Sequence, residues 1–169
     1  MENTFKLICD RLLAKVPELL WIDWDAGQFE SPEETYPTPF PAVLIDIVNA
    51  VPENSTRGNQ RLLVTWRMRL GMDIYENYHI AGGTVAPDRD TAIAKLLLIK
   101  KVHAALHGFS GDQFSALVRT GVFTERRDDM LKVYAMDYVC SLNDSSAANI
   151  YSDKQINNLN LTKDFVPQV

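Results

Sequence analysis

Residues 62–75 read LLVTWRMRLGMDIY and carry the clearest periodic pattern in the chain. Apolar side chains occupy every even position from Leu62 to Ile74, whereas the odd positions include Arg67 and Arg69. A period of two places alternate side chains on opposite faces of a β-strand. The stretch therefore predicts a long strand with one buried, apolar face and one face that carries charge.

A second strand is predicted just before this one. Residues 42–48 read AVLIDIV, a composition of β-branched and aliphatic side chains that is typical of a strand with at least one buried face. Residues 49–59 separate the two strands and contain Pro52 and Gly58. We interpret this segment as a loop of about a dozen residues, longer than a tight hairpin requires.

The N-terminal segment has helical spacing. Apolar residues recur at intervals of three and four from Phe5 to Val16, and Pro17 supplies a stop signal. Residues 21–24 (WIDW) are compatible with a short strand. The four prolines within residues 27–41 predict an extended, irregular connection.

A second helix is predicted after a glycine-containing connection. Asp88 or Asp90 can cap its start, and Gly108 can end it in the left-handed conformation just after His107. Its buried stripe is predicted to comprise Ala92, Leu96, Ile99, Val102 and Leu106.

Two further strands close the pattern. Residues 114–124 and 130–142 have strand composition and flank a polar turn, ERRDD. The order α-β-β-α-β-β predicts an α+β fold with an antiparallel four-stranded sheet and both helices packed on one of its faces. We expect one compact domain over residues 1–142 and a polar C-terminal extension, flexible or ordered by a partner, over residues 143–169.

Composition limits the possible functions. The chain has 169 residues, of which 46% are hydrophobic and 23% charged, as in an average single globular domain. The 17 basic and 22 acidic residues give a net charge of −5, which argues against a broad electrostatic grip on nucleic acid. No apolar stretch is long enough to suggest a membrane span, and the N-terminus does not resemble a signal peptide. We expect a cytosolic protein when it is made.

Candidate metal and nucleophile residues are few. His103 and His107 stand four apart on the predicted second helix, where two imidazoles can share a metal, but the acidic residue of a zinc-protease helix is missing between them. A structural role near the helix C-terminus is the alternative that we favour. Cys9 and Cys140 are read as small buried thiols, with one disulfide as the alternative. The sequence predicts no metal and no cofactor.

Acid–base and phosphate-binding motifs are similarly weak. Asp23 and Asp25 are close enough to form an acidic pair, but an exposed acidic turn explains them as well. Gly82 and Gly83 lack the following Lys-Ser or Lys-Thr of a phosphate-binding loop. We therefore predict no catalytic residues.

Arg67 and Arg69 are the more informative polar residues. Both lie at odd positions of the long strand, opposite its apolar face, with Tyr75 further along. A solvated sheet face is one interpretation. A protein interface is the other, because arginine and tyrosine are enriched at interfaces and guanidinium groups make paired contacts with carboxylates.

Three stretches carry a resemblance to a known family. They are YPTPFPAVLI at residues 36–45, DIY at residues 73–75 and VHAALHG at residues 102–108, in the element order given above. With this order, residues 1–142 resemble the tail terminator or tail-completion proteins of tailed bacteriophages, of the lambda type. None of the three stretches is a signature motif.

The resemblance implies a structural virion protein of a phage or prophage tail that is not an enzyme. Such proteins form hexameric rings that cap the tail tube and join it to the head connector, so the implied partners are copies of the chain itself, the tail tube protein and the head–tail connector protein, without a membrane or specific nucleic acid. The implied location is the bacterial host cytoplasm during assembly and then the virion tail. The alternatives are a small bacterial α+β adaptor or protein-interaction domain and, less in keeping with the sequence, a small-molecule enzyme.

Candidate interface residues follow from exposure and charge rather than from motifs of the family. Besides the segment 49–59, they are Arg67, Arg69, Tyr75, Arg126, Arg127, Asp128 and Asp129.

Overall fold

Two helices and five strands make up the part of the chain that the structure describes. This computed structural model describes residues 1–30, 38–56, 59–73, 86–127 and 131–146. In chain order the elements are α1 (Glu2–Lys15), β1 (Trp21–Trp24), β2 (Ala42–Thr56), β3 (Asn59–Asp73), α2 (Ala86–Leu106), β4 (Val118–Thr124) and β5 (Leu131–Asp144). Residues 147–169 of the predicted extension lie outside the described residues, and the division at residue 142 stays a prediction.

The sheet has five strands in the order β1-β2-β3-β5-β4. β1 pairs with β2 in parallel, with Trp21 opposite Ala42, and every other pair is antiparallel. The fold is α+β, but the prediction of a four-stranded antiparallel sheet is wrong. The four residues of β1 are too few to show a period, and the long connection to β2 returns the chain to the same end of the sheet, which makes the pair parallel.

The predicted loop over residues 49–59 is also wrong. The β2–β3 ladder continues through this segment as far as the pair Thr56 and Asn59. Two register shifts, one after Ile47 and one after Pro52, absorb the extra residues as bulges. β1 covers β2 only as far as Ile45, so Pro52 lies on an unpaired edge where its missing N–H is not needed.

The main core lies between the sheet and both helices. α1 contributes Ile8 and Leu12, and α2 contributes Val102 and Leu106, all fully buried. The even positions of β3 face the helices, as the alternation predicts. The strand side chains of this core include Val43, Ile45, Val64, Trp66, Met68, Leu70, Met136 and Tyr138. Each aliphatic side chain buried here stabilises the fold by about 1.5–3 kcal/mol relative to an exposed one.

The buried stripe of α2 differs from the predicted one. Leu98 and Ala105 accompany Val102 and Leu106 in the core, whereas Leu96 is half-exposed. Residues 96–99 are all apolar, so the spacing alone is compatible with more than one buried face of the helix. No helix within the described residues has the length and apolar composition needed to span a membrane.

The helix-free face, which is the sheet face opposite α1 and α2, is covered over only part of its area. A small second core forms there from Phe29, Ala42, Leu44, Leu131 and Val133, with Phe40 packed against it. Phe29 is fully buried and its ring lies over Gly71 of β3. The segments before and after residues 31–37 therefore cover the β3 C-terminal half of this face.

Candidate interaction surface

Arg69 is the buried centre of an ion cluster on the helix-free face. Its Nη1 donates to Asp25 at 2.8 Å, its Nη2 donates to Glu30 at 2.5 Å, and its Nε and Nη2 each donate to Glu125 at 2.7 Å. The guanidinium carbon also lies 5.4 Å from the centre of the Phe29 ring. Arg69 is therefore only 8% exposed, although it occupies the odd strand position that the alternation predicted.

Arg127 completes this cluster. It donates a hydrogen bond to the backbone oxygen of Phe29, and its Nη1 lies 3.8 Å from Glu30 and 3.9 Å from Glu125. We call Asp25, Glu30, Arg69, Glu125 and Arg127 together the Arg69 cluster. Two cations and three carboxylates give it a formal charge of 2 − 3 = −1, and its members come from β3 and from the segments that follow β1 and β4.

The carboxylates keep the buried Arg69 charged. Burial opposes the charge, but the hydrogen bonds to Glu125, Glu30 and Asp25 outweigh it, so the pKa of the guanidinium is raised above its ordinary value. A buried charge with all its partners in place is tolerated, whereas removal of one partner leaves the others uncompensated. The cluster therefore joins residues 25–30 to the sheet as a structural unit.

Arg67 lies two positions from Arg69 and has a more open setting. Its Nε and Nη2 donate to the two carboxylate oxygens of Asp137 at 2.8 and 2.9 Å, which is a bidentate pair across neighbouring strands. The guanidinium stacks over Phe123 of β4 at 4.8 Å from the ring centre. Arg67 thus retains part of its surface for solvent or a partner.

The other predicted interface residues differ in their positions. Arg126 is exposed, whereas Arg127 is held in the Arg69 cluster. Tyr75, Asp128 and Asp129 lie outside the described residues. Whether any of these side chains contacts another protein stays a prediction.

An aliphatic patch that the sequence did not predict lies beside Arg67 on the helix-free face. It consists of Val51, Leu63, Val118 and Val139. The register places Leu63 beside Val51, and Val139 between Thr65 and Val118. Val51, Leu63 and Val118 are between 37% and 50% exposed. The alternation of β3 contains Leu63 at an odd position, which is the one signal of this patch in the sequence.

The two histidines are engaged by neighbouring groups. His103 Nδ1 lies 3.3 Å from the hydroxyl of Tyr138, and His107 Nδ1 accepts a hydrogen bond from the backbone N–H of Arg119 at 3.3 Å. Burial lowers the pKa of His103. The described residues contain no group of three His, Cys, Asp or Glu side chains placed to hold a metal ion.

Tyr138 provides a pH-dependent contribution to stability. Burial raises the pKa of its phenol from 10.0 to about 12. The stabilisation is therefore complete at pH values below the pKa of this phenol in the unfolded chain. It is lost as the pH rises towards the pKa of the phenol in the folded chain. Between about pH 9 and about pH 11, we expect the unfolding free energy of the parent chain to fall by about 1 kcal/mol more than that of a Tyr138→Phe variant. Urea unfolding at the two pH values measures this difference, and equal losses would contradict it.

Both cysteines are free thiols in settings that suppress their ionisation. Burial raises the pKa of Cys9 to about 11 and also raises the pKa of Cys140. The acidic pair considered above is used differently, because Asp25 binds Arg69 while the Asp23 carboxylate accepts the backbone N–H of Trp24.

Comparisons with known proteins give no family. No family model matches the chain, and no curated protein matches it. Among solved structures, the chain is similar to a component of the virion of a native gene transfer agent particle, with a TM-score of 0.46 and 9% sequence identity over 80% of this chain and 91% of that chain. Similarity at this level assigns no function.

Proposed function

We propose that the chain is a structural subunit of a phage or prophage tail. In this role copies of the chain form a ring, hexameric in the family that the sequence resembles, which caps the tail tube and joins it to the head connector. The protein would act by association with itself, the tube protein and the connector protein rather than by chemistry. Its place would be the host cytoplasm during assembly and the virion tail afterwards.

The aliphatic patch is the observation that carries this proposal. A sheet face open to water ordinarily presents polar side chains, whereas Val51, Leu63 and Val118 present aliphatic ones. Clustered exposed apolar side chains of this kind mark surfaces that bind other proteins. The neighbouring Arg67 and Phe123 add residue types that are enriched in such interfaces.

Self-association of the purified chain is the first test. We expect light scattering coupled to size exclusion to show a discrete oligomer, and electron microscopy to resolve it as a ring. The oligomer should form at a protein concentration of about 1 mM or below, because a contact worth about 4 kcal/mol corresponds to a dissociation constant of about 1 mM. A chain that remains monomeric over this range contradicts a self-assembling ring.

A charge on the aliphatic patch should weaken the ring. We expect Leu63→Lys to lower the affinity between subunits at least about tenfold, which corresponds to about 1.4 kcal/mol, because a partly exposed apolar side chain would be replaced by a charge within the contact. Leu13→Lys on α1 is the matched control, since Leu13 is also exposed but lies on the helix side. Equal effects of the two variants would remove the patch from the interface.

The role in the tail has its own test. In a host that assembles the virion, deletion of the gene should leave tail tubes of uncontrolled length without attached heads, and the parent gene should restore normal tails. Tails of normal length with heads attached in the deletion strain would contradict tail termination.

A further inference from the structure

The two outer strands of the sheet both present large apolar side chains. β1 carries Trp21 and Trp24, and β4 carries Val122 and Phe123, all of them well exposed. Open sheet edges are sites where another strand can add, and proteins ordinarily protect them with charge, proline or a covering segment. Apolar edges on both sides of one sheet instead provide two different surfaces, as a head-to-tail ring requires.

Strand directions make the two edges compatible. β1 is parallel to β2, and each later step across β3, β5 and β4 reverses direction, so β4 runs opposite to β1. A rotation about an axis along the strands preserves these directions. β4 of one copy would therefore meet β1 of the next copy as an antiparallel pair, and the sheet would continue with all helices on one side.

Two outward backbone groups of β1, the N–H and C=O of Trp24, are held by side chains. The N–H of Trp24 donates to the Asp23 carboxylate at 2.8 Å, and its C=O accepts from Gln28 Nε2 at 2.9 Å. The N–H of Asp25, in contrast, donates inward to Ile45 of β2 at 2.9 Å. Asp23 and Gln28 thus occupy the positions that a neighbouring strand would fill in an assembly.

The two edge strands carry charges of opposite sign. Asp23 lies in β1, whereas Arg119 lies in β4 and Arg126 follows it. Within the described part of the chain, neither arginine has an ion-pair partner. The register places Asp23 on the helix-free side and Arg119 on the helix side, so the opposite signs favour association of the two edges without a direct ion pair between these two residues.

We propose that β4 of one copy pairs edge to edge, antiparallel, with β1 of a second copy, and that this contact is the repeating joint of the ring. This inference rests on the proposed function, because it assigns the two strands that would meet in the ring contact. The aliphatic patch adjoins this contact at Val118 of β4. The occupant of each edge is a second copy of this chain.

Cysteine crosslinking tests whether β4 pairs with β1 of the next copy and whether the helix sides of the two sheets lie on the same side. Trp24 and Val122 both lie on the helix side of the sheet, whereas Phe123 lies on the helix-free side. Under a short bismaleimide crosslinker, W24C/V122C should give a ladder of covalent multimers. W24C/F123C is the opposite-face control and should give none, as should the parent chain with its two native cysteines. Oligomers that crosslink in neither variant, or equally in both, overturn the edge pairing but leave the ring.

A second variant keeps Trp24, whose ring packs 5.5 Å from that of Phe5. Val122→Asp should weaken self-association at least tenfold, while Leu97→Asp on α2, where the leucine is similarly exposed, should leave it unchanged. Equal association of the two variants overturns the edge pairing. A parent chain that never self-associates overturns both this pairing and the proposed ring.

Discussion

Replacement of Arg69 by methionine is expected to lower the free energy of unfolding by about 3–5 kcal/mol. The change removes the cation that hydrogen-bonds Asp25, Glu30 and Glu125, and it keeps a side chain of similar length. Arg127 is the one cation of the Arg69 cluster that remains, so three carboxylates face a single positive charge. Urea or guanidinium unfolding at neutral pH measures the loss.

Arg61→Met is the matched control for this variant. Arg61 lies on the same strand and the same face, and its ion pair with Glu53 has an N–O distance of 3.3 Å. Its side chain is 54% exposed, whereas that of Arg69 is 10% exposed. Exposed pairs contribute at most about 1 kcal/mol, so we expect a small effect. Similar losses in the two variants would show that the Arg69 cluster is no more than a surface ion pair.

The sequence predicted the elements in which a periodic pattern extends over many residues. The fourteen-residue alternation identified β3 and the face of β3 that enters the core, and the stop at Pro17 placed the end of α1 near Lys15. The four residues of β1 show no period, so the sequence is compatible with a strand there but does not predict one. The β2 extension was missed because Pro52 and the polar residues after it resemble a loop unless the bulges and the unpaired edge are known.

The partners of Arg69 could not be derived from spacing. They stand 39 to 56 residues away in sequence and belong to segments that meet only in the folded sheet. The alternation correctly placed Arg69 opposite the helices, but position on a face does not determine exposure. The segment around Phe29 covers that face locally and turns a predicted surface residue into a buried one.

The helix-free face therefore divides into two parts with different roles. Where Phe29 covers this face, Arg69 and its carboxylate partners bind one another within the chain. Where no segment covers it, Val51, Leu63 and Val118 remain exposed. The covered part of the helix-free face maintains the fold, and only its uncovered part is free to bind another protein. Arg69 is therefore a poor probe of assembly, whereas Leu63 is a suitable one.

Gly71→Ala should disturb the packing of Phe29 against the sheet. A Cβ at residue 71 would lie 2.5 Å from Phe29 Cζ, closer than any real contact, and the Phe29 ring is fully buried. Either the ring moves, and with it the contact to Arg69, or β3 shifts. We expect a loss of about 1–3 kcal/mol in the free energy of unfolding, the cost of overfilling a packed core. Chemical denaturation measures it.

Gly121→Ala provides the control for this prediction. Gly121 lies in β4 on the same face, and a Cβ there meets Asp137 at 3.9 Å, an ordinary contact. Glycine within a strand costs about 0.5–1 kcal/mol relative to alanine, so this variant should be neutral or slightly more stable than the parent. A Gly71→Ala chain as stable as Gly121→Ala would mean that Phe29 yields without cost. In that case the second core would not hold residues 25–30 against the sheet, and the Arg69 cluster alone would have to do so.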